Sequence, residues 1–220
     1  MESTLHRQLK SLYAVDGAKT EVKLGPYRID VVDGKRLIEI QHAGLSAIRD
    51  KVARLLEDHP VTVVKPIIQR RYLVSLQKKN GKVVRRRLSP KRGSILNLFD
   101  ELIHFTRVFP HPNLTIEVPL VDIEEHRFPG HGRRRRWRRR DFVVQDRQLL
   151  QLTGRHKFRR GRDLVKLVGQ RLPRPFDTAQ LAKAMNVDRW FAQRVAYCFR
   201  NMGIARQVGK RGNALLYELA

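Results

Sequence analysis

Cysteine is almost absent from this chain: Cys198 is the only one in 220 residues. No internal disulfide can form, and a thiolate metal cluster is excluded. Acidic residues are scarce as well, with 21 Asp and Glu against 46 Lys and Arg. No apolar run is long enough to span a bilayer and no basic amphipathic helix dominates, so a membrane partner is not expected. The first residues, Met1-Glu2-Ser3-Thr4, lack the charged and apolar regions of a signal peptide. With one thiol and no leader of that kind, a reducing, cytoplasmic setting is expected.

What is present is cationic charge on a foldable chain. A hydrophobic fraction of 41% is enough for real cores, and the formal net charge is +25. Charge of that size repels itself in a compact state, and a polyanionic partner offsets the repulsion. Counterion release alone gives sequence-independent DNA affinity, with Kd on the order of 10⁻⁴ to 10⁻⁶ M at physiological salt. The competing reading is charge kept for solubility or for a ribosome surface. RNA stays open beside DNA at this point, and a homodimer is compatible with the sequence.

The periodicity divides the chain into three parts. Leu5, Leu9, Leu12 and Tyr13 recur at helical spacing after Ser3, and Asp16-Gly17 ends that helix. Strands follow over Thr20–Leu24, Tyr27–Val32 and Arg36–Gln41, with turns at Gly25-Pro26 and Asp33-Gly34. An amphipathic helix over Gly44–Glu57 and a short buried strand, Val61–Val64, come next. A hairpin is predicted over Arg71–Gln77 and Lys82–Leu88 with Asn80-Gly81 at its tip. A Ser94-capped helix and a strand over Leu114–Ile123 complete the unit. This reads as an α/β (α+β) mixed sheet flanked by helices over residues 1–126. Residues 127–141 form a basic linker or arm in which Arg133, Arg134, Arg135 and Arg136 precede Trp137, and Arg138, Arg139 and Arg140 follow it. Residues 142–220 read as a mostly helical domain.

The three-strand meander carries the informative arithmetic. With Gly25-Pro26 as a two-residue turn, Glu21 falls opposite Asp30. With Asp33-Gly34 as the next, Asp30 faces Leu37 and Glu39 lies diagonal to it. Alternation then sets Glu21, Asp30, Glu39 and Gln41 on one face, and Val22, Leu24, Tyr27, Ile29, Val31, Ile38 and Ile40 on a core face. Gathered carboxylates resist joint ionisation, and a divalent cation removes that cost. Mg²⁺ (or Mn²⁺) suits an oxygen-ligand site that keeps waters for a nucleophile. The alternative is a solvated sheet face neutralised by Lys23, Arg28 and Lys35.

The order helix, Glu21, Arg-Ile-Asp30-Val-Val, Leu-Ile-Glu39-Ile-Gln41, helix, strand resembles the PD-(D/E)XK nuclease superfamily over roughly residues 1 to 67. The resemblance implies Mg-dependent phosphodiester hydrolysis, with Asp30, Glu39, the Ile40 carbonyl and Glu21 as metal ligands. Gln41 stands where that family most often has lysine, which makes this an E-x-Q variant. Lys51 on the following helix is the first candidate to supply the missing cation, and Lys23 the second. His6 reads as a partly exposed structural histidine that can reach phosphate. His104, His111, His126 and His131 lack the spacing of a zinc site.

Trp137 among arginines can stack on a base while its neighbours grip phosphate. The C-terminal part resembles a winged helix. Phe176-Asp177-Thr178 opens its first helix, with Gln180 closing a capping box. A recognition helix over Asp188–Met202 presents Arg189, Gln193, Arg194 and Arg200, and a wing carries Lys210 and Arg211. The combined expectation is a Mg²⁺-dependent DNA endonuclease with an appended winged helix. The rivals are a non-enzymatic DNA-binding regulator on a nuclease scaffold and an RNA-binding protein.

Overall fold

A computed structural model describes residues 3–130 and 141–220. Ser3 caps α1 (Thr4–Tyr13) by accepting from the His6 N–H, and the helix buries Leu5, Leu9 and Tyr13. β1 (Lys19–Leu24), β2 (Tyr27–Asp33) and β3 (Arg36–Ile40) follow, then a 3-10 turn and α2 (Arg49–Leu55), then β4 (Val61–Val64). β5 (Ile67–Leu76) and β6 (Val83–Leu88) form the expected hairpin, in which Asn80 takes the left-handed φ of +57° that a tight turn demands. α3 (Leu98–Leu102) leads to β7 (Leu114–Pro129).

All of these strands join one eight-stranded mixed sheet. β7 is its spine: residues 114–117 pair in parallel with β4 and residues 120–127 with β5, so the two strands lie end to end along one edge. Helix α1 covers one face, over Val31, Ile38, Ile40, Val121 and Ile123. The other face packs against Val52 and Leu55 of α2 and Phe99 of α3.

The other edge of β7 corrects the sequence reading. Phe142–Phe158 is not helical; it is a 17-residue strand, β8, antiparallel to β7. Its Gln, Leu and Arg content suits a helix. Three register shifts along the pairing interrupt the period-two alternation that marks a strand. The sheet of the first unit therefore runs on past residue 142 to Phe158. The arginine run of the expected linker lies outside the described residues; Pro129 and Phe142 on either side of it are paired.

After β8 come α4 (Gly161–Val165), α5 (Thr178–Met185), α6 (Arg189–Asn201), β9 (Ala205–Arg211) and β10 (Ala214–Leu219). Over 142–220 the strands of 17, 7 and 6 residues outweigh α-helices of 5, 8 and 13, so this part is not mostly α. The expected capping box is present: Asp177 accepts from Ala179 and Gln180 N–H at 2.9 Å each, and Gln180 returns a bond to the Asp177 N–H. This C-terminal unit shares its core with the sheet. The Phe99 ring meets Phe191 and Phe199 edge-on, at 6.4 and 5.9 Å. No helix among the described residues is long and apolar enough to cross a membrane.

Candidate active site and nucleic-acid interface

The first turn behaves as the arithmetic requires: Leu24 pairs with Tyr27, Val22 with Ile29 and Thr20 with Val31, which sets Glu21 level with Asp30. The second does not. Asp33 pairs with Arg36 and Val31 with Ile38, so Gly34-Lys35 forms the turn, with Gly34 at φ +56°. The slip of one residue moves Glu39 from a diagonal position to one level with Asp30.

The single acidic face is also corrected. Ile29 packs on the α2 side, and Val31, two residues on, packs under α1. Strict alternation would keep both on one side, so the strand rolls over at Asp30. Glu21, opposite it, has φ +57°, an uncommon conformation for a residue with a Cβ.

Asp30 is fixed by two donors. Its Oδ2 accepts from the Ile40 N–H at 2.8 Å, and its Oδ1 meets His6 Nε2 at 3.2 Å. Burial alone would raise its pKa, but the His6 and Ile40 hydrogen bonds outweigh burial and hold the carboxyl below the ordinary range. Glu39 is 4% exposed. Its Oε2 pairs with Lys51 Nζ at 2.7 Å, while Oε1 is buried with no hydrogen-bond partner among the described residues. Burial, reinforced by the charge of Asp30, lifts the Glu39 carboxyl above the ordinary range despite Lys51. Two neighbouring carboxyls are thus driven in opposite directions, a pattern typical of functional sites.

The rest of the expected site is rearranged. Glu21 is bound by Lys10 and Arg28 and does not complete a three-carboxylate cluster. Among the described residues no group of three or more His, Cys, Asp and Glu side chains is arranged to hold a metal. The expected ligand set of Glu21, Asp30, Glu39 and Ile40 reduces to Asp30 and Glu39, with Ile40 tied to Asp30 through its amide. Gln41 donates one amide N–H to the Gly44 carbonyl at 2.9 Å, which shapes the loop before α2. Lys51 lands where the first candidate cation was expected; it also reaches the Arg28 carbonyl at 2.6 Å. Lys23, the second candidate, is exposed and pairs in register with Arg28.

Several neighbours were not legible in the sequence. The rings of His6 and His42 stand edge-on, 5.8 Å apart. Burial first, then His6, Arg147 and Lys65, depress the His42 pKa. Lys65, 5% exposed, bonds Glu101 at 3.1 Å and the Ala43 carbonyl at 2.5 Å. Glu101 also accepts from the Leu45 N–H at 2.9 Å, so the loop bearing His42 is pinned from both sides. These partners come from distant parts of the chain, and no local spacing announces them.

Of the expected nucleic-acid contacts, Arg133–Arg140 with Trp137 lie outside the described residues. Arg189 and Gln193 are exposed on α6, as is Lys210 in the β9–β10 hairpin. Arg211 is exposed but bonds Asp177 at 2.6 Å. Arg194 is corrected: it binds Asp100 of the sheet unit and lies over the Trp190 ring at 5.2 Å, so it locks α6 in place and does not face outward. Tyr197, 46% exposed, joins Arg189, Gln193 and Arg200 on the outer stripe of α6 and was missed.

A family model described as "Domain of unknown function (DUF8091)" matches residues 3–159, ending where β8 ends. An uncharacterized protein of Treponema pallidum (strain Nichols) is 31% identical over 220 residues, covering 99% of this chain and 85% of the relative. No solved structure matches.

Proposed function

We propose that this chain, which belongs to the family described as Domain of unknown function (DUF8091), is a Mg²⁺- or Mn²⁺-dependent DNA endonuclease acting at Asp30 and Glu39. One observation carries the reading: Glu39 Oε1, a buried carboxylate oxygen without a partner among the described residues, beside a second carboxylate. Leaving a buried acceptor unsatisfied costs roughly 1–3 kcal/mol, more for a charged group. A cation relieves that cost and the repulsion between the two acids together.

The donors fit a hard cation, since Mg²⁺ is commonly held by one or two carboxylates plus water and phosphate oxygens. When bound, such an ion lowers the pKa of a water and offsets charge building on a scissile phosphate. The chain's own residues do the rest. His6 and the Ile40 amide hold the Asp30 carboxylate ionised and oriented. Lys51 pairs with Glu39, opposing the effect of burial, and brings a cation to the site in place of the lysine that Gln41 does not supply. The order of elements from α1 to β4, which resembles PD-(D/E)XK nucleases, supports the reading. The outer stripe of α6 and Lys210 suit duplex DNA in the manner of a winged helix. A DNA substrate and a single buried thiol suit a cytoplasmic setting.

A second reading, DNA binding without cleavage, is favoured by the ion pairs that hold Glu21 away and by the commitment of Gln41 to Gly44. Supercoiled plasmid separates the two. Wild type with Mg²⁺ or Mn²⁺ nicks or linearises it, and Asp30→Ala binds but does not cut. If metal-loaded wild type leaves every topology intact while Asp30→Ala binds equally well, the enzyme reading fails.

A further inference from the structure

Between Asp58 and Asp100 the sequence contains no acidic residue and eleven lysines and arginines. Most of them lie on or beside the β5–β6 hairpin. Edge strands often carry charge simply to block pairing with another chain, and all six residues of β6 are exposed. Two further features go beyond that defensive role.

The first is how the charges sort by face. Arg87 is level with Leu73, Leu73 with Glu125, and Glu125 with Arg147, across β6, β5, β7 and β8. Level residues share a face, and residues two apart on a strand share it too. Arg71, Arg85, Arg87 and Arg147 therefore lie on one side. Arg86, on the opposite side, is neutralised by Glu124 at 2.6 Å and stacked on Tyr72 at 4.4 Å. Arg85 and Arg87 have no ion pair among the described residues. The hairpin is held in place, since the Asn80 N–H at its tip donates to Gln145 of β8 at 2.8 Å.

The second is where this side leads. Arg147 and Arg71 share one acid, Glu125, at 3.0 and 3.5 Å. Glu125 is 3% exposed, so two guanidinium groups meet one buried negative charge. Arg71 Nε is buried and has no acceptor among the described residues. On either side of Arg147, the Asp146 carboxylate accepts from the Thr4 N–H at 3.0 Å and the Leu149 N–H donates to Gln8 at 2.8 Å, which seats this part of β8 against α1, and α1 carries His6, which holds Asp30. Arg147 thus lies where the hairpin side of the sheet meets the helix that reaches the candidate site.

We propose that Arg71 and Arg147 form a clamp for backbone phosphate of duplex DNA next to the candidate active site, and that Arg85 and Arg87 extend it along the sheet. The shared acid leaves a surplus positive charge on two side chains that are each about a third exposed, and a phosphate oxygen neutralises it through the planar fork geometry of arginine. The clamp rests on the nucleic-acid reading above but not on cleavage.

The test is the salt dependence of binding to a 20-base-pair duplex in EDTA, where no reaction occurs. Removing either arginine alone strands Glu125, so the comparison is Glu125→Gln against Glu125→Gln/Arg71→Gln/Arg147→Gln. Glu125→Gln keeps the wild-type slope of log K against log salt. The triple variant lowers the slope by about 2, since each phosphate contact contributes about 0.9, and weakens binding at least tenfold. Arg85→Gln/Arg87→Gln, which touches no buried acid, lowers the slope by a similar amount and guards against a misfolded triple variant. An unchanged slope in both sets, with wild-type thermal melts, overturns the clamp and leaves a structural ion triad. A wild type that binds no duplex overturns the nucleic-acid reading and the clamp with it.

Discussion

Replacing Glu39 with Gln separates a metal ligand from a structural ion pair. In a purely structural role, Glu39 exists to balance Lys51, and removing one partner of a buried pair costs about 3–5 kcal/mol. The geometry argues for a much smaller loss. Lys51 is 19% exposed at its side chain and keeps the Arg28 carbonyl at 2.6 Å, so it is not stranded without a partner. The Glu39 carboxyl is itself unfavourably charged, as its raised pKa records, and a neutral amide of the same shape removes that burden. The expected change in unfolding free energy for Glu39→Gln is therefore small, within about 1 kcal/mol either way. Metal binding behaves differently. Altering a group that merely supports a ligand costs 10–100-fold in affinity, and loss of a charged ligand costs at least about 100-fold. Calorimetric titration with Mn²⁺, paired with urea unfolding of the same samples, reads both quantities. A Glu39→Gln protein destabilised by more than 3 kcal/mol with unchanged Mn²⁺ affinity would refute the reasoning.

Other outcomes follow from the same structure. Protons compete with the cation for Glu39, so Mn²⁺ affinity climbs as pH rises through its raised pKa and flattens above it; a titration at stepped pH shows this step in wild type and not in Glu39→Gln. Asp30 has the opposite sign: its folded pKa is lowered, so the stability it contributes is complete above the unfolded value of about 3.9 and drains as pH falls through the folded value. Asp30→Asn flattens that acid limb in pH-dependent unfolding. Phe99, fully buried between the sheet unit and α6, loses about 3–5 kcal/mol on change to Ala, read as a lower midpoint in urea. Arg189→Gln/Arg200→Gln on the outer face of α6 reduces the salt slope of DNA binding by about 2, whereas Arg194→Gln, turned toward Asp100, leaves the slope unchanged.

The parts of the fold that local chemistry dictates were legible. Helix α1, the meander, β4 and the capping box at Asp177 all follow from periodicity, turn residues and side-chain caps. The register of β2 against β3 did not, because Asp33-Gly34 and Gly34-Lys35 are both acceptable turns and only the structure chooses between them. β8 was hidden by its bulges, since each shift moves later side chains to the other face and erases the alternation. At the site, Asp30, Glu39 and Lys51 were legible because they sit on consecutive elements. His42, Lys65 and Arg147 were not, because they meet only when β3, β4 and β8 converge. The ion pairs of Glu21 depend on Lys10, whose approach is set by how α1 crosses the sheet.

The central claim is that Asp30 and Glu39 share one divalent cation. A crystal soaked in Mn²⁺ and measured at the manganese absorption edge tests it most directly. One anomalous peak touching Asp30 and Glu39 Oε1 is the predicted result. No peak there at saturating Mn²⁺, with Lys51 still paired to Glu39, would contradict it.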